Sequence, residues 1–364
     1  MTAGSADPLH GVMVVASRRS RRSVGLGALG LGVAAAIAVA KPAEARSVEA
    51  PVTPHALRAD APGPRRLTSG AYRVNVPAAD GRPAYWALVP PVSREPCTVV
   101  LAMHGLGQRG ETIGEPLAGA ASSRNWLVVA PTIDYGDWTD PARLAATEPR
   151  VMRQALDAVD HARRTLGVDT DTPLLAIGFS RGAQTVARLG VLEPARFLAV
   201  AAASGGAYTL PTGTAPDTAG RLVAAPFPFG VGNALGTIGR FVDPEAIAGV
   251  RFWVGVGAND TSEADLPRQW DPFLGRNRVE RATRFANAVR RVGAVVQLTI
   301  VPATGHEFTP ATISSAVNFL RAAEIAAADR PSRLLAEAPV VAPPPDGTRA
   351  DGPWWHRLVD ALGR

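Results

Sequence analysis

Six short, predominantly apolar runs separated by longer stretches constrain this chain more than any other feature. They cover residues 97–103, 126–130, 174–177, 197–201, 252–256 and 295–301. A strand without polar alternation is buried on both faces, which points to a mostly parallel sheet covered by helices. Between the runs, residues 149–166 place Val151, Ala155, Val159 and Ala162 at near-helical spacing, and residues 278–292 and 310–327 read similarly. Upstream, residues 71–76 and 84–89 alternate or are rich in β-branched and aromatic side chains on either side of Asp80-Gly81, the pattern of a hairpin. The expected class is α/β, with a sheet of about eight mostly parallel strands, right-handed crossovers, helices on both faces and an N-terminal hairpin. Residues 71–328 form this body. Within it, residues 205–248 hold many Gly and Pro with little periodicity, and fit either an inserted lid or a surface loop.

The N-terminus reads as an export signal. Paired arginines at Arg21-Arg22 precede a charge-free run over 24–40, and Ala43-Glu44-Ala45 offers a small-residue cleavage pattern, with Ala38-Val39-Ala40 as a second site. The run is short and Gly-rich for a bilayer span, so cleavage is expected rather than anchoring. The arginine pair and weakly apolar core resemble a bacterial twin-arginine signal over residues 1–45, which implies a periplasmic or extracellular protein. Residues 46–70 read as a flexible leader. Residues 329–364 read as a Pro-rich linker and a short amphipathic tail that could dock on the body, touch a membrane surface or stay disordered.

Charge and cysteine exclude more than they assign. The formal net charge is +6, yet Lys41 is the only lysine, and the arginines are interleaved with Asp and Glu without an aromatic-basic stripe. That is not a nucleic-acid footprint. Cys97 stands alone, so no intramolecular disulfide forms. The acidic residues Asp260, Glu263 and Asp265 lack the glycine and spacing of a calcium loop, and no metal or organic cofactor is expected.

The chemistry starts at Gly178-Phe179-Ser180-Arg181-Gly182. An apolar strand runs straight into this G-x-S-x-G, and a helical segment follows. In that context the turn presents a serine above the sheet at a helix N-terminus, where developing negative charge is favoured. A serine nucleophile needs a base and a group to orient it. Of six histidines only His306 and His356 follow Ser180 in the chain, the first directly after the last apolar run and the second in the tail. Asp260 closes the run that ends at Gly257, with Glu263 and Asp265 a few residues on. The glycines of His104-Gly105-Leu106-Gly107 let that loop turn backbone N–H groups inward.

From about residue 71 to 327 the chain resembles the α/β-hydrolase superfamily, on its HGLG, GFSRGA, GAND and TGHEF loops in that order. The resemblance implies a catalytic triad of Ser180, Asp260 and His306 and an oxyanion hole from the backbone amides of Leu106 and Arg181, with His104 structural. The loop over 131–138 is similar to that of secreted carboxylesterases and of polyhydroxyalkanoate-depolymerase-like or feruloyl-esterase-like enzymes, which suggests Tyr135 and Trp138 as substrate-binding residues. Arg181 and the lone Cys97 depart from the depolymerase-like pattern and speak against polymer hydrolysis. The implied activity is cleavage of a small or polymeric carboxylic ester by a monomer without cofactor. A peptidase or lactonase of the same fold is the alternative, and a catalytically silent envelope or binding protein is the reading from another class.

Overall fold

The computed structural model describes residues 65–66, 71–90, 97–166, 172–217 and 219–329. The expected signal at 1–45 and the tail from 330 onward lie outside the described residues, as does all of the 46–70 leader except Arg65 and Arg66. The strands are β1 (Arg65–Arg66), β2 (Tyr72–Val76), β3 (Tyr85–Val89), β4 (Thr98–Met103), β5 (Trp126–Pro131), β6 (Leu174–Phe179), β7 (Phe197–Ala203), β8 (Thr214–Pro216), β9 (Leu222–Ala224), β10 (Arg251–Gly257) and β11 (Val295–Val301). The helices are α1 (Gly110–Ser122), α2 (Pro141–Leu166), α3 (Arg181–Leu192), α4 (Ala234–Ile238), α5 (Pro244–Ala248), α6 (Asp271–Leu274), α7 (Arg278–Arg291) and α8 (Pro310–Ala328).

Nine strands form one sheet in the order β1-β2-β3-β5-β4-β6-β7-β10-β11. The hairpin β2–β3 is antiparallel and joins β5 antiparallel, whereas every pairing from β5 through β11 is parallel. This is the predicted mixed, mostly parallel sheet with its N-terminal hairpin. The two-residue β1 pairs with Tyr72 and Arg73, so the stretch read as a flexible leader already contributes an edge strand.

Alternation along the strands sorts the core into two layers, because successive side chains leave opposite faces of a pleated strand. Val99, Leu101, Met103, Leu127 and Val129 pack with buried residues of α2, α3 and α7. Val100, Ala102, Val128 and Ala130 pack with those of α1 and α8. Helices therefore cover both faces, as the apolar runs required. Among the described residues no helix is long and apolar enough to cross a membrane.

Two elements differ from the sequence reading. Helix α2 begins at Pro141 and carries Pro149 in its interior, whereas the pattern suggested a start at Pro149. Asp140 caps the true start, accepting from the amides of Ala142 (2.8 Å) and Arg143 (3.3 Å). Burial of Leu144 and Glu148 then holds the first turns helical despite the interior proline. The 205–248 stretch is an excursion from β7 that holds the β8–β9 ribbon, α4 and α5 before the chain returns to β10.

Candidate active site

The loops leaving the C-terminal ends of β4, β6, β10 and β11 meet at one edge of the sheet, where open parallel sheets bind ligands. Ser180 sits between β6 and α3 with φ +53° and ψ −114°, a backbone region that non-glycine residues avoid. Its neighbours make that turn feasible. A Cβ on Gly178 would lie 2.4 Å from the Gly182 carbonyl oxygen, and one on Gly182 would lie 2.0 Å from that of Met103. Only glycine at both positions lets β4, β6 and α3 approach this closely. The Ser180 amide is held by the Ala203 carbonyl at 2.9 Å, which stabilises the strained turn from the neighbouring strand.

His306 comes from the loop between β11 and α8, and Asp260 from the loop after β10. Two backbone bonds tie these loops together, from Ala258 N to Val301 O (2.9 Å) and from Asn259 N to Thr304 O (2.8 Å). His306 Nδ1 is 2.8 Å from Asp260 Oδ2, and Nε2 is 3.0 Å from Ser180 Oγ. An ionised carboxylate only accepts, so Nδ1 carries the proton and Nε2 presents its lone pair to the serine hydroxyl. Phe179 packs on the imidazole at a centroid distance of 5.0 Å and fixes its plane. Asp260 is 1% exposed, while His306 is 33% exposed to the space above it. Such a chain can take a proton from the hydroxyl and hold the resulting imidazolium against a carboxylate. Of the competing acids, Glu263 pairs with Arg268 and Arg276 instead. Asp265 lies in the wall of the cleft.

That cleft has a volume of about 340 Å³, and its walls include Gly105, Leu106, Trp138, Ser180 and His306. The loop after β4 is braced by His104, which is fully buried. Ile133 N donates to His104 Nε2 (3.0 Å), so Nδ1 carries the proton and donates to the Gly105 carbonyl. Burial holds the His104 pKa below the ordinary imidazole value, which keeps the ring neutral. The Gly105 amide is taken by Gln108 Oε1 at 3.0 Å, which leaves the Leu106 amide as the next donor at the cleft. Arg181 opens α3, and first-turn amides have no partner within their own helix.

Known proteins of the same architecture are distant in sequence. No family model matches the chain, and no curated protein matches it significantly. Among solved structures, poly(aspartic acid) hydrolase-1 from Sphingomonas sp. KT-1 is similar over 71% of this chain and 99% of its own, at 19% identity and a TM-score of 0.50. The poly(3-hydroxybutyrate) depolymerase LpqC from Bordetella parapertussis is similar over 72% and 93%, at 24% identity and a TM-score of 0.49. For the S-formylglutathione hydrolase from Agrobacterium tumefaciens the shares are 72% and 98%, at 18% identity and a TM-score of 0.47. The chain has the α/β-hydrolase fold.

On this α/β-hydrolase scaffold Trp138 lines the cleft, but Tyr135 does not serve as expected. It is fully buried, its hydroxyl donates to the His104 carbonyl (2.8 Å), and the Arg181 guanidinium lies 5.1 Å from its ring centroid. Tyr135 is thus a brace behind the site, a correction to its reading as a substrate contact. Burial also pushes its hydroxyl pKa well up. Within the described part of 205–248, Gly206 alone lines the cleft, so that segment does not close over it as a lid.

Three charged residues went unnoticed in the sequence. Glu148 of α2 is completely buried between the guanidiniums of Arg181 and Arg188. Burial raises its carboxyl pKa, but the two arginines outweigh that effect and hold it below the ordinary value. Burial likewise lowers the Arg188 guanidinium to about 10. Arg278 Nη1 reaches Asp260 Oδ1 at 3.3 Å, so the carboxylate beside His306 has a second cationic partner. Apart from Gln184, every residue of α3 is buried, so the charges that Arg181 and Arg188 place on it must be paired. Among the described residues no group of three His, Cys, Asp or Glu side chains converges as a metal site.

Proposed function

We propose that this protein is a serine hydrolase that cleaves carboxylic esters through an acyl-enzyme on Ser180. The observation that carries the reading is the unbroken chain from Asp260 through His306 to Ser180 Oγ, open to the cleft at its serine end. Ser180 Oγ attacks the ester carbonyl carbon while its proton passes to His306 Nε2, and Asp260 stabilises the imidazolium. The Leu106 and Arg181 amides donate to the oxyanion of the tetrahedral intermediate. Collapse breaks the bond to the alcohol oxygen, which takes the proton from His306. Water then attacks the acyl-enzyme with His306 as base, releasing the carboxylic acid and restoring Ser180. The twin-arginine-like leader supports placing this chemistry in the periplasm or the extracellular space.

An active-site fluorophosphonate together with p-nitrophenyl acyl esters of graded chain length tests the reading. Wild type is expected to label and turn over. Ser180→Ala is expected to lose labelling and about 10⁶-fold in kcat. Wild type that fails to label, or Ser180→Ala that labels equally, overturns it. A preference for aminoacyl amides over the esters moves the assignment to a peptidase.

A further inference from the structure

The wall of the cleft holds more buried donors than the site so far uses. Trp270 is fully buried, and its indole Nε1–H has no hydrogen-bond partner among the described residues. The same holds for Nε of Arg278 and Nε of Arg181, and all three side chains line the cleft. Gln184 adds another donor there. Its Oε1 accepts from Arg181 Nη1 at 3.3 Å, which leaves its amide nitrogen as the free end. A Cβ on Gly206 would meet Gln184 Nε2 at 3.2 Å and Arg278 Nε at 3.9 Å. The bare Cα of Gly206, which also faces Leu266 Cδ2, therefore leaves room beside Gln184 Nε2 and Arg278 Nε.

A buried donor without an acceptor costs about 1–3 kcal/mol, and folded proteins keep few of them. Three in one wall, beside a fourth at its surface, point to an acceptor that arrives with the substrate. The charges specify its kind. Around Ser180 the buried guanidiniums of Arg181, Arg188 and Arg278 face only the carboxylates of Glu148 and Asp260. One cation is in excess. Asp265, the acid in the cleft wall, is exposed to solvent and its charge is screened. A neutral carbonyl would satisfy one donor and leave the excess charge, whereas a carboxylate brings two oxygens and a negative charge together.

Resting on the ester-hydrolase reading, we infer that the ester taken by this cleft carries a second, ionised carboxylate a few carbons from the scissile bond. Trp270, Gln184 and Arg278 hold that group beside Gly206. Trp270 and Gln184 act as specificity-determining residues, since a site built to hydrogen-bond one group discriminates against an analogue lacking it.

The test compares matched esters on the full chain. Monomethyl glutarate is set against methyl 5-methylhexanoate, which places the carboxylate or its apolar isostere on the acyl side. 4-Acetoxybutanoate is set against 4-methylpentyl acetate, which places it on the alcohol side. In at least one pair the anionic ester is expected to show kcat/KM about tenfold higher or more. Trp270→Phe and Gln184→Met are each expected to cut that ratio about threefold or more, because the anionic ester loses more than the neutral one. A role in packing alone would lower both members equally and leave the ratio unchanged, which overturns the assignment of these residues. Ratios near one in both pairs overturn the inference while the hydrolase reading stands. Turnover of neither pair overturns it too, and fluorophosphonate labelling of Ser180 then tells whether the hydrolase reading falls with it.

Discussion

Two buried carboxylates serve the Ser180 turn, and they are held by different kinds of partner. Glu148 accepts from the guanidiniums of Arg181 and Arg188, and all three side chains are almost wholly removed from solvent. Asp260 accepts from one guanidinium, that of Arg278, and from the imidazole of His306, which is partly open to the cleft. The first set has permanent charges on both sides and no group that exchanges protons near neutral pH. It clamps α2 to the start of α3, whose first residue, Arg181, follows the serine directly. The second set contains one titratable ring with its far nitrogen on the serine, so the same kind of carboxylate there works on a proton rather than on a helix. A buried ion cluster fixes position when every member is locked. It supports chemistry when one member keeps a second face free.

Asp260→Asn attacks this contrast hardest. The amide can no longer enforce the Nδ1–H tautomer or stabilise imidazolium, and kcat on a p-nitrophenyl ester is expected to fall about 10⁴-fold. Stability is expected to fall less than in Glu148→Gln, because only one buried guanidinium, that of Arg278, loses its countercharge. Steady-state kinetics and urea unfolding on the same preparation check both halves, and a variant that loses stability but keeps its rate makes Asp260 a clamp like Glu148. Glu148→Gln is the mirror experiment. It leaves two buried guanidiniums without a countercharge, so unfolding free energy is expected to drop by about 3–5 kcal/mol. Rate per folded molecule should fall much less than in Asp260→Asn. Arg188→Met has a smaller effect, about 1–3 kcal/mol, because Glu148 keeps its pairing with Arg181 while the Arg188 bond to Thr209 Oγ1 is lost. Equal losses in Glu148→Gln and Arg188→Met would show that packing, not charge balance, sets the strength of the cluster.

The same contrast explains what could be read from the sequence. Ser180, Asp260, His306 and the loop at Leu106 each sit where an apolar strand gives way to glycine and polar residues, so position along the chain and local chemistry coincide. The central strands were legible for the same reason, because strands buried on both faces leave near-continuous apolar runs, whereas the edge strand β11 keeps Gln297 and Thr299. Glu148 carried no such mark. It precedes Pro149 on a helix most of whose other charges are at least partly exposed, and Glu-Pro reads as a helix boundary. Its burial is decided by Arg181 and Arg188, residues of another helix. Arg278, Gln184 and Trp270 are of the same kind. Each is ordinary for its element, and only the convergence of α3, α7 and the turn at Trp270 gives it a task. Tyr135 shows the converse, since an aromatic beside the site looks like a substrate contact until its hydroxyl is found bonded to a backbone carbonyl behind it.

Acid is the mildest probe of the clamp and separates it from the rest of the fold. The Glu148 carboxyl titrates below its ordinary value of 4.5 in the folded protein, the two guanidiniums outweighing the opposing effect of burial. A depressed folded pKa means that the carboxylate's contribution to stability is complete above the unfolded value. It is lost as pH falls toward and through the folded one. Each unit of depression corresponds to about 1.4 kcal/mol. Wild type is therefore expected to lose more stability than Glu148→Gln between about pH 5 and pH 3, so that the gap between their urea midpoints narrows as pH falls. Background titration of surface acids is common to both proteins and cancels in that difference. A gap that stays constant down to about pH 3 would mean that Glu148 keeps its charge throughout that range. A gap that widens on acidification would reverse the sign and remove Glu148 from the role of a stabilising anion.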